Sequence, residues 1–275
     1  METEKHLLAR DFLRPFTTVS KDELIPQAFW TLESTDDTHL VVVQDEKPIG
    51  IVSYKDFLRI LAGRVRRKKI TRLYVSGIMT TNLIYAKEND PIEKIANIMI
   101  EKGISSVLIF EDDTPKGIIT KKDILKKIHL FPFCNNPVEE IMTQHPITAP
   151  SGLSITGAER LLVEKKISTL PIVEEGTLVG YLDIHILARF LISLYLNPEY
   201  KHPEKILYQL SVGELMKGPF YVFMDTPIKE FAQSIIRKKF KGAPVVLSDA
   251  NRRVIGIVTE TDIVRHLAKI TGSQS

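Results

Sequence analysis

The sequence predicts an α/β (α+β) protein built from four copies of one β-α-β-β-α unit, and three observations support this prediction. An apolar residue, Leu in the first copy and Met in the others, marks the first part of each copy: Leu13, Met79, Met142 and Met216. A glycine in a Val/Ile-rich stretch follows each of them at a nearly constant distance: Gly50, Gly117, Gly180 and Gly256. The third observation is that the same succession of apolar patterns fills each copy, which is typical of repeated supersecondary units.

Each unit is predicted to open with a short strand, at residues 16–19, 83–86, 147–149 and 220–223. A polar turn then leads to an amphipathic helix, at residues 24–32, 91–102, 154–165 and 227–239. In the second of these helices apolar residues recur at helical spacing, which predicts one buried face: Ile92, Ile95, Ala96 and Met99. Pro91 and Pro227 suit a first helical turn, where a missing N–H breaks no hydrogen bond.

Two strands and a closing helix complete each unit. The strands are joined by turns of Asp, Glu, Gly or Asn residues, and they are predicted at 40–43 and 49–53, 107–110 and 117–120, 170–173 and 179–182, and 245–247 and 254–259. The closing helices are predicted at 55–61, 122–128, 184–195 and 261–270.

The repeats are assigned to residues 8–62, 74–130, 137–195 and 211–270. A unit of roughly 60 residues buries too little surface to be stable alone, so we expect adjacent units to pair into modules 1–131 and 132–275. The connecting segments differ in character: 63–72 is basic, 132–137 is rich in turn residues, and 197–210 contains two prolines. The last of these is compatible with either a helix between units or a docking loop.

The composition is that of a globular protein with a real core, since 44% of its 275 residues are hydrophobic and the net charge is only +3. The single cysteine, Cys134, permits neither an intrachain disulfide nor a cysteine-based metal site. No signal peptide is recognisable, and the apolar run 186–196 is too short to span a bilayer. We therefore expect a cytoplasmic protein that does not contact a membrane.

Sequence signatures of enzymes are lacking. The chain has no phosphate-binding P-loop, no dinucleotide-binding Gly-x-Gly-x-x-Gly, no Gly-x-Ser-x-Gly elbow and no His-Glu-x-x-His pair. The seven histidines are scattered, so no metal site is expected. A non-catalytic protein is the resulting prediction.

The residues after the repeat glycine share one pattern in three copies: two apolar residues, Ser or Thr, two variable residues, and Asp. The hydroxyl lies where a strand ends and a helix begins, so helix N–H groups and the helix dipole favour an anion there. The Asp lies in the first helical turn, where its carboxylate can accept hydrogen bonds from two ribose hydroxyls while the Ser or Thr hydroxyl reaches a phosphate. The pairs are Ser53 and Asp56, Thr120 and Asp123, and Thr259 and Asp262.

The same pattern is close to an ordinary capping box, in which the two side chains satisfy the N-terminus of a helix. Capping alone does not require Asp rather than Glu each time, yet the common ancestry of the repeats can preserve Asp without any ligand. The pattern by itself leaves capping and ligand binding open.

Several segments resemble the CBS-domain family, and the similarity covers about residues 8–270. The segments are Met79-Thr80, Met142-Thr143, Gly103-Ile104-Ser105-Ser106, Leu170-Pro171-Ile172-Val173, Ala243-Pro244-Val245-Val246 and the three Ser/Thr-x-x-Asp patterns. Four copies in a short chain are similar to stand-alone archaeal and bacterial tandem CBS proteins and to the regulatory gamma subunit of AMP-activated protein kinase. The resemblance implies repeats paired about pseudo-two-fold axes, with two pairs forming a flat disk, and adenosine compounds as ligands.

Carried onto this chain, the resemblance assigns roles to individual residues. It implies that the ribose is held by Asp56, Asp123 and Asp262. The first-strand residues that would contact adenine are Thr18, Tyr85 and Val222. The phosphate would meet the motif residues and the residues before the second strand: Ser53, Lys55, Ser105, Ser106, Thr120, Lys122, Lys241, Thr259 and Thr261.

The third copy departs from the pattern. It has Asp183 in place of the hydroxyl and Ile186 in place of the Asp. A carboxylate at the phosphate position would repel a phosphate, so we expect this site to be empty or to bind an uncharged compound.

These observations favour a regulatory module that binds AMP, ADP or ATP between paired repeats and acts on a regulated protein, as a homodimer. A nucleic-acid-binding protein that uses the basic segment 64–72 is one alternative. A structural assembly unit without a ligand is the other.

Overall fold

The computed structural model describes residues 7–62, 70–112, 114–200 and 202–270. It contains four successive units of one helix, a β-hairpin and a closing helix, so the predicted α/β fold of paired repeats is confirmed. Most of the basic segment 64–72, namely residues 64–69, lies outside the described residues.

The four hairpins form, and in the first three repeats their strands are slightly longer than predicted. In the fourth repeat the first strand starts three residues earlier and ends one residue earlier than predicted, and the second strand has the predicted bounds. The strands, in chain order, are β1 Thr18–Ser20, β2 His39–Gln44, β3 Lys47–Ser53, β4 Tyr85–Lys87, β5 Ser106–Glu111, β6 Thr114–Thr120, β7 Thr143–Gln144, β8 Thr169–Glu174, β9 Thr177–Asp183, β10 Gly242–Val246 and β11 Val254–Thr259. The β2–β3 turn consists of Asp45 and Glu46, whose φ angles of 48° and 63° are those of a two-residue hairpin turn.

The helices begin and end within two residues of their predicted positions, and the linker 197–210 contains an additional helix. In chain order they are α1 Ile25–Ser34, α2 Tyr54–Ala62, α3 Ile92–Glu101, α4 Lys121–Lys126, α5 Ile155–Glu164, α6 Ile184–Leu196, α7 Pro203–Gln209, α8 Ile228–Lys238 and α9 Glu260–Ile270. Pro91 and Pro227 are N-cap residues with ψ near 140°, so each precedes the first turn instead of lying in it. Across the described ranges, no helix has the length and apolarity needed to cross a membrane.

The first strands predicted for the third and fourth repeats are wrong. In the first two repeats, β1 and β4 pair in parallel with β2 and β5, and the Val41 and Leu108 N–H groups donate to this pairing. The corresponding residues of the later repeats are Pro171 and Pro244, which have no N–H to donate. Pairing there shrinks to single bridges, one from Ala149 to Ile172 and one from Val222 to Val245.

Strands connect the repeats that are adjacent in sequence. Ile51 in β3 pairs with Thr80 at the start of repeat 2, and Arg14 of repeat 1 pairs with Ile118 in β6. In the second half, β7 of repeat 3 pairs with β11 of repeat 4, and Tyr181 pairs with Lys217. These exchanges link repeat 1 to repeat 2 and repeat 3 to repeat 4.

Helices connect the repeats in the other direction. Helix α2 of repeat 1 packs against α5 and α6 of repeat 3, and their apolar faces belong to one buried cluster. Helix α9 of repeat 4 packs against α3 and α4 of repeat 2 within a second cluster. The two main hydrophobic cores are therefore shared by repeats 1 and 3 and by repeats 2 and 4. The strand links and the helix links together close the four repeats into a ring.

Candidate functional site

The closing helices of different repeats begin close to one another. The Tyr54 and His185 rings, from repeats 1 and 3, lie 4.1 Å apart between centroids. Lys121 Nζ, from repeat 2, donates to the Thr261 hydroxyl of repeat 4 at 2.9 Å. The residues that followed the repeat glycine in sequence are thereby brought to the interfaces between repeats.

The Ser/Thr-x-x-Asp pattern forms the same local geometry in repeats 1, 2 and 4. One carboxylate oxygen of the Asp accepts a hydrogen bond from the backbone N–H and another from the hydroxyl of the Ser or Thr three residues earlier. The hydroxyl bonds measure 2.8 Å for Ser53 to Asp56, 2.6 Å for Thr120 to Asp123 and 2.6 Å for Thr259 to Asp262. This is the capping arrangement that the sequence left open as an alternative.

The geometry changes what the hydroxyls can offer a ligand. A hydroxyl has one hydrogen, and in each of these three pairs that hydrogen is directed at the Asp. A phosphate accepts hydrogen bonds at neutral pH, so Ser53, Thr120 and Thr259 would have to rotate away from Asp before donating to it. The helix N–H groups and Lys55 could contact a phosphate without such a rotation.

Each of the three carboxylates also contacts an arginine. Arg59 and Arg265 reach Asp56 and Asp262 from one turn further along the same helix, at 2.8 and 2.5 Å. Asp123 instead receives Arg14 of repeat 1, whose Nε lies 3.0 Å from both carboxylate oxygens. Burial is the main influence on Asp56 and raises its pKa, while the hydrogen bonds from Ser53 and the charge of Arg59 lower it.

Arg14 also forms an ion pair with Asp37 at 2.5 Å, and the neighbouring Asp36 binds Lys122 at 2.5 Å. The turn between α1 and β2 therefore covers the motif of repeat 2 with two carboxylates. The predicted roles of Asp123 and Lys122 require these ion pairs to open. At the predicted site of repeat 1, the ion pair seen among the described residues is that of Asp56 with the exposed Arg59.

The predicted lysines occupy different environments. Lys241 is buried and forms an ion pair with Glu260 at 3.1 Å. Lys55 is accessible to solvent, yet the protein around it desolvates its ammonium group and lowers its pKa. Lys121, which the sequence analysis did not select, is buried, and desolvation lowers its pKa to about 8. Its position directly after Thr120 was the available signal, because the first residue of a closing helix lies at the interface between repeats.

His39 and Ser105 form a polar link between repeats 1 and 2. His39 Nε2 and the Ser105 hydroxyl lie 2.8 Å apart, and Ser106 beside them is buried. Burial holds the pKa of His39 well below its ordinary value, and the charges of Lys241 and Arg14 lower it further.

The first-strand residues need one correction. Val19, Ala86 and Val222 occupy equivalent positions in their repeats. Each pairs with a residue of the next strand, and that residue in turn pairs with the repeat glycine. Val222 is therefore a core residue, only 8% exposed, and it does not correspond to Thr18 and Tyr85, which point outward. The true counterpart in repeat 4 is Tyr221, whose hydroxyl donates to Asp249. A one-residue shift reverses the face of a strand, and the short apolar run 220–223 did not reveal it.

A cavity of about 710 Å³ lies at the site of the divergent third repeat. It is lined by residues from all four repeats, including Asp183, His185 and Ile186. The predicted phosphate residues Lys122 and Lys241 also line it, but Asp56, Asp123 and Asp262 do not. In the described part of the chain, no group of three or more His, Cys, Asp or Glu residues is arranged to hold a metal ion.

Comparison with known proteins gives similarity along the whole chain. Protein MJ1225 of Methanocaldococcus jannaschii is 24% identical over 271 residues, which are 93% of this chain and 96% of the relative. A crystal structure of MJ1225 matches with a TM-score of 0.81 at 22% identity, over 95% of this chain and 100% of that chain. A conserved Pyrococcus horikoshii protein matches with a TM-score of 0.66 at 19% identity, with the same coverage.

A family model described as the CBS domain matches four segments: residues 9–63, 75–130, 138–193 and 212–269. Each segment contains the repeat glycine of one unit and all or most of its closing helix. The chain therefore belongs to the CBS-domain family and carries four CBS domains in tandem.

Proposed function

We propose that this protein is a regulatory module that binds adenosine nucleotides in the clefts between paired repeats and transmits their occupancy to a partner protein. CBS-domain proteins are generally regulatory rather than catalytic. MJ1225 has itself been proposed as an archaeal homologue of the gamma subunit of AMP-activated protein kinase, and at 22% identity that likeness contributes the fold alone.

The observation that carries the proposal is a group of cations at the interface of the repeats, two of which, Lys55 and Lys121, lie in the first turns of α2 and α4. Besides its burial, Lys121 has its pKa lowered by the charges of Lys55, Lys241 and Arg265, although Glu260 opposes them. Cations that lower each other's pKa repel each other, so an anion placed among them is stabilised. Helix N-termini add backbone N–H donors to the same place. A phosphate group suits this environment.

The nucleoside would lie outward from the phosphate. Asp56 and Asp262 are our candidates for the ribose, because within the described residues one oxygen of each is paired with an arginine on its own helix, which is exposed at Arg59 and partly exposed at Arg265. Tyr85 is 48% exposed and lies edge-on to Phe110, so its outer face is accessible to a base. The repeat 2 site is covered by another repeat, because Arg14 binds Asp123 and Asp36 binds Lys122.

The test is calorimetric titration of the full chain with AMP, ADP, ATP and S-adenosylmethionine, beside a thermal-shift series. A ligand present at 100 times its dissociation constant stabilises the fold by about 2.7 kcal/mol. Asp56→Asn and Asp262→Asn are the matched variants, because the Asn side-chain oxygen can still accept the hydrogen bond from the Ser53 or Thr259 N–H while the charge is removed. Loss of binding in these folded variants would support the proposal. The absence of any binding by the unmodified protein at millimolar nucleotide would refute it.

The identity of the regulated protein, a homodimeric state and a cytoplasmic location remain predictions from the sequence. Size-exclusion chromatography with light scattering, with and without nucleotide, measures the oligomeric state directly.

A further inference from the structure

The turn that joins α1 to β2, residues 35–38, differs from the equivalent turns of the other repeats, and we call it the acidic turn. In each repeat the first helix begins at the same distance from the first hairpin strand, so the four turns align without gaps. At one turn position Gly103, Lys166 and Lys239 have φ angles of 64°, 55° and 58°. Asp36, their counterpart in repeat 1, lies outside this left-handed region. The first helix of repeat 1 therefore ends without the left-handed residue that closes the others.

The next position anchors the turn in three repeats. Partly buried apolar residues pack there against the hydrophobic cores: Ile104, Ile167 and Phe240. Asp37 takes this place in repeat 1, and its carboxylate binds the Arg14 guanidinium and the Thr17 hydroxyl. Burial fixes an apolar anchor, whereas a charged side chain is held by partners that another ion can replace. The acidic turn is thus attached by charge where the other turns are attached by apolar contact.

The partners of the acidic turn belong to the motif of repeat 2. The Asp36 carboxylate lies 2.5 Å from Lys122 Nζ, and the Asp36 carbonyl accepts a second hydrogen bond from that ammonium group at 2.9 Å. Asp37 binds Arg14 at 2.5 Å, and Arg14 Nε lies 3.0 Å from both oxygens of Asp123. The lysine and the carboxylate that the motif of repeat 2 offers to a nucleotide are therefore both occupied by groups of repeat 1.

The cavity of about 710 Å³ gives the acidic turn room to move, because residues 35–38 all line it. The Asp36 side chain is 58% exposed, so an anion in solution can compete with it for Lys122. Lys122 also lines the cavity. Movement of the turn away from α4 would thus leave this ammonium group accessible.

We propose that the acidic turn is an autoinhibitory latch on repeat 2. In the closed position its ion pairs occupy Lys122 and hold Arg14 on Asp123, and a nucleotide binds at this motif only after the turn has moved. This inference rests on the proposed function, since it concerns one of the proposed nucleotide sites. The apparent affinity of the repeat 2 site is then reduced by the fraction of molecules in which the latch is open.

Calorimetric titration of the full chain with AMP counts the accessible sites. We expect the wild type to bind two equivalents, at repeats 1 and 4. Asp36→Asn/Asp37→Asn removes both charges of the latch, and its affinity for a third equivalent should exceed that of the wild type by at least about tenfold. Addition of Asp123→Asn should abolish this gain. Asp45→Asn/Glu46→Gln is the matched control, because it removes two negative charges from the exposed hairpin turn of the same repeat.

A second measurement needs no nucleotide. Lys122 has a side chain that is 16% exposed, and its acetylation by a water-soluble active ester is followed by mass spectrometry, with the 56% exposed Lys94 as internal reference. The single variant Asp36→Asn changes an exposed side chain and should fold normally. We expect the relative rate at Lys122 to rise by about tenfold in this variant, because reactivity follows the fraction of open molecules.

The proposed function and the latch fail in different ways. If neither the wild type nor any variant binds AMP at millimolar concentration, the proposed function is refuted, and the acetylation of Lys122 alone decides whether the turn is a releasable cover. If the wild type binds AMP and Asp36→Asn/Asp37→Asn gains neither a third equivalent nor affinity, the latch is overturned while the proposed function stands. Equal acetylation of Lys122 in the wild type and in Asp36→Asn would also overturn the latch.

Discussion

The methyl group that an alanine would carry at position 50 falls 2.6 Å from Met79 Sδ, so Gly50 and Met79 are in direct contact across the boundary of repeats 1 and 2. The same relation holds between Gly180 and Met216 and between Gly256 and Met142. The fourth pair is Gly117 with Leu13 and the Arg14 carbonyl. The glycine of each repeat therefore contacts the Met or Leu of the neighbouring repeat, and this contact explains why the two residues recur together.

The contacts at these glycines predict unequal costs of substitution. Gly50→Ala meets only the flexible Met79 side chain, and we expect a loss of about 1 kcal/mol. Gly117→Ala places its Cβ 2.3 Å from the Arg14 carbonyl oxygen, so the backbone must move. We expect the free energy of unfolding to fall by about 3 kcal/mol. Urea denaturation of both variants measures the difference. Equal losses would mean that the two contacts are equally adaptable.

Glu159 on α5 predicts a pH-dependent stability. Its Oε1 has no hydrogen-bond partner among the described residues, and burial raises its pKa to about 7 from an ordinary value of 4.5. Between pH 4.5 and 7 the folded state therefore holds a proton that the unfolded state releases. The free energy of unfolding is highest below pH 4.5 and falls as the pH rises through 7. Glu159→Gln should equal the wild type at pH 4.5 and exceed it by about 3 kcal/mol at pH 8.

Thermal unfolding of both proteins between pH 4.5 and pH 8.5 checks this prediction. A constant difference in melting temperature across that interval would show that Glu159 does not titrate differently in the folded state.

The buried pair of Lys241 and Glu260 predicts strong coupling. Lys241→Met leaves the Glu260 carboxylate without its direct partner, and we expect a loss of about 3 kcal/mol. The double variant Lys241→Met/Glu260→Met should recover most of it, since two apolar side chains can pack where the ion pair was. A double-mutant cycle by chemical denaturation gives the coupling energy, and purely additive losses would contradict the prediction.

Arg14 and Arg59 provide a matched comparison, because each binds a motif carboxylate. Arg14 is 23% exposed and holds both Asp123 and Asp37, so Arg14→Gln should cost about 2 kcal/mol. Arg59 is 62% exposed and holds Asp56 from the same helix, so Arg59→Gln should cost less than about 0.5 kcal/mol. Denaturation midpoints in low salt compare the two, and a larger loss at Arg59 would reverse our ranking.

Much of the fold could be predicted from the sequence because the repeats share local patterns. Apolar periodicity located both ends of each predicted helix to within two residues, and the hairpins followed from their turn residues. The first strands of repeats 3 and 4 failed at Pro171 and Pro244, which remove the N–H that the parallel pairing needs. The linker 197–210, whose structure was left open, contains the helix α7.

The site was predictable only in part. The Asp residues and their hydroxyl partners could be selected, since they are local in sequence. Arg14 on Asp123 and the cavity beside Asp183 could not, because they join residues from different repeats. Periodicity identifies which face of a helix is buried, but it does not identify the element that covers it. For that reason the pairing of α2 with α6 across the two halves was not predicted.

That crossed pairing has a consequence during protein synthesis. The apolar face of α2, which ends at Ala62, is covered by helices that begin only at Ile155 and Ile184 and are therefore synthesised much later. A nascent chain that contains only the first two repeats can pair their strands, but the apolar face of α2 has no helix to pack against. We expect such a chain to expose apolar surface until the second half is made, and exposed apolar surface favours aggregation and chaperone binding.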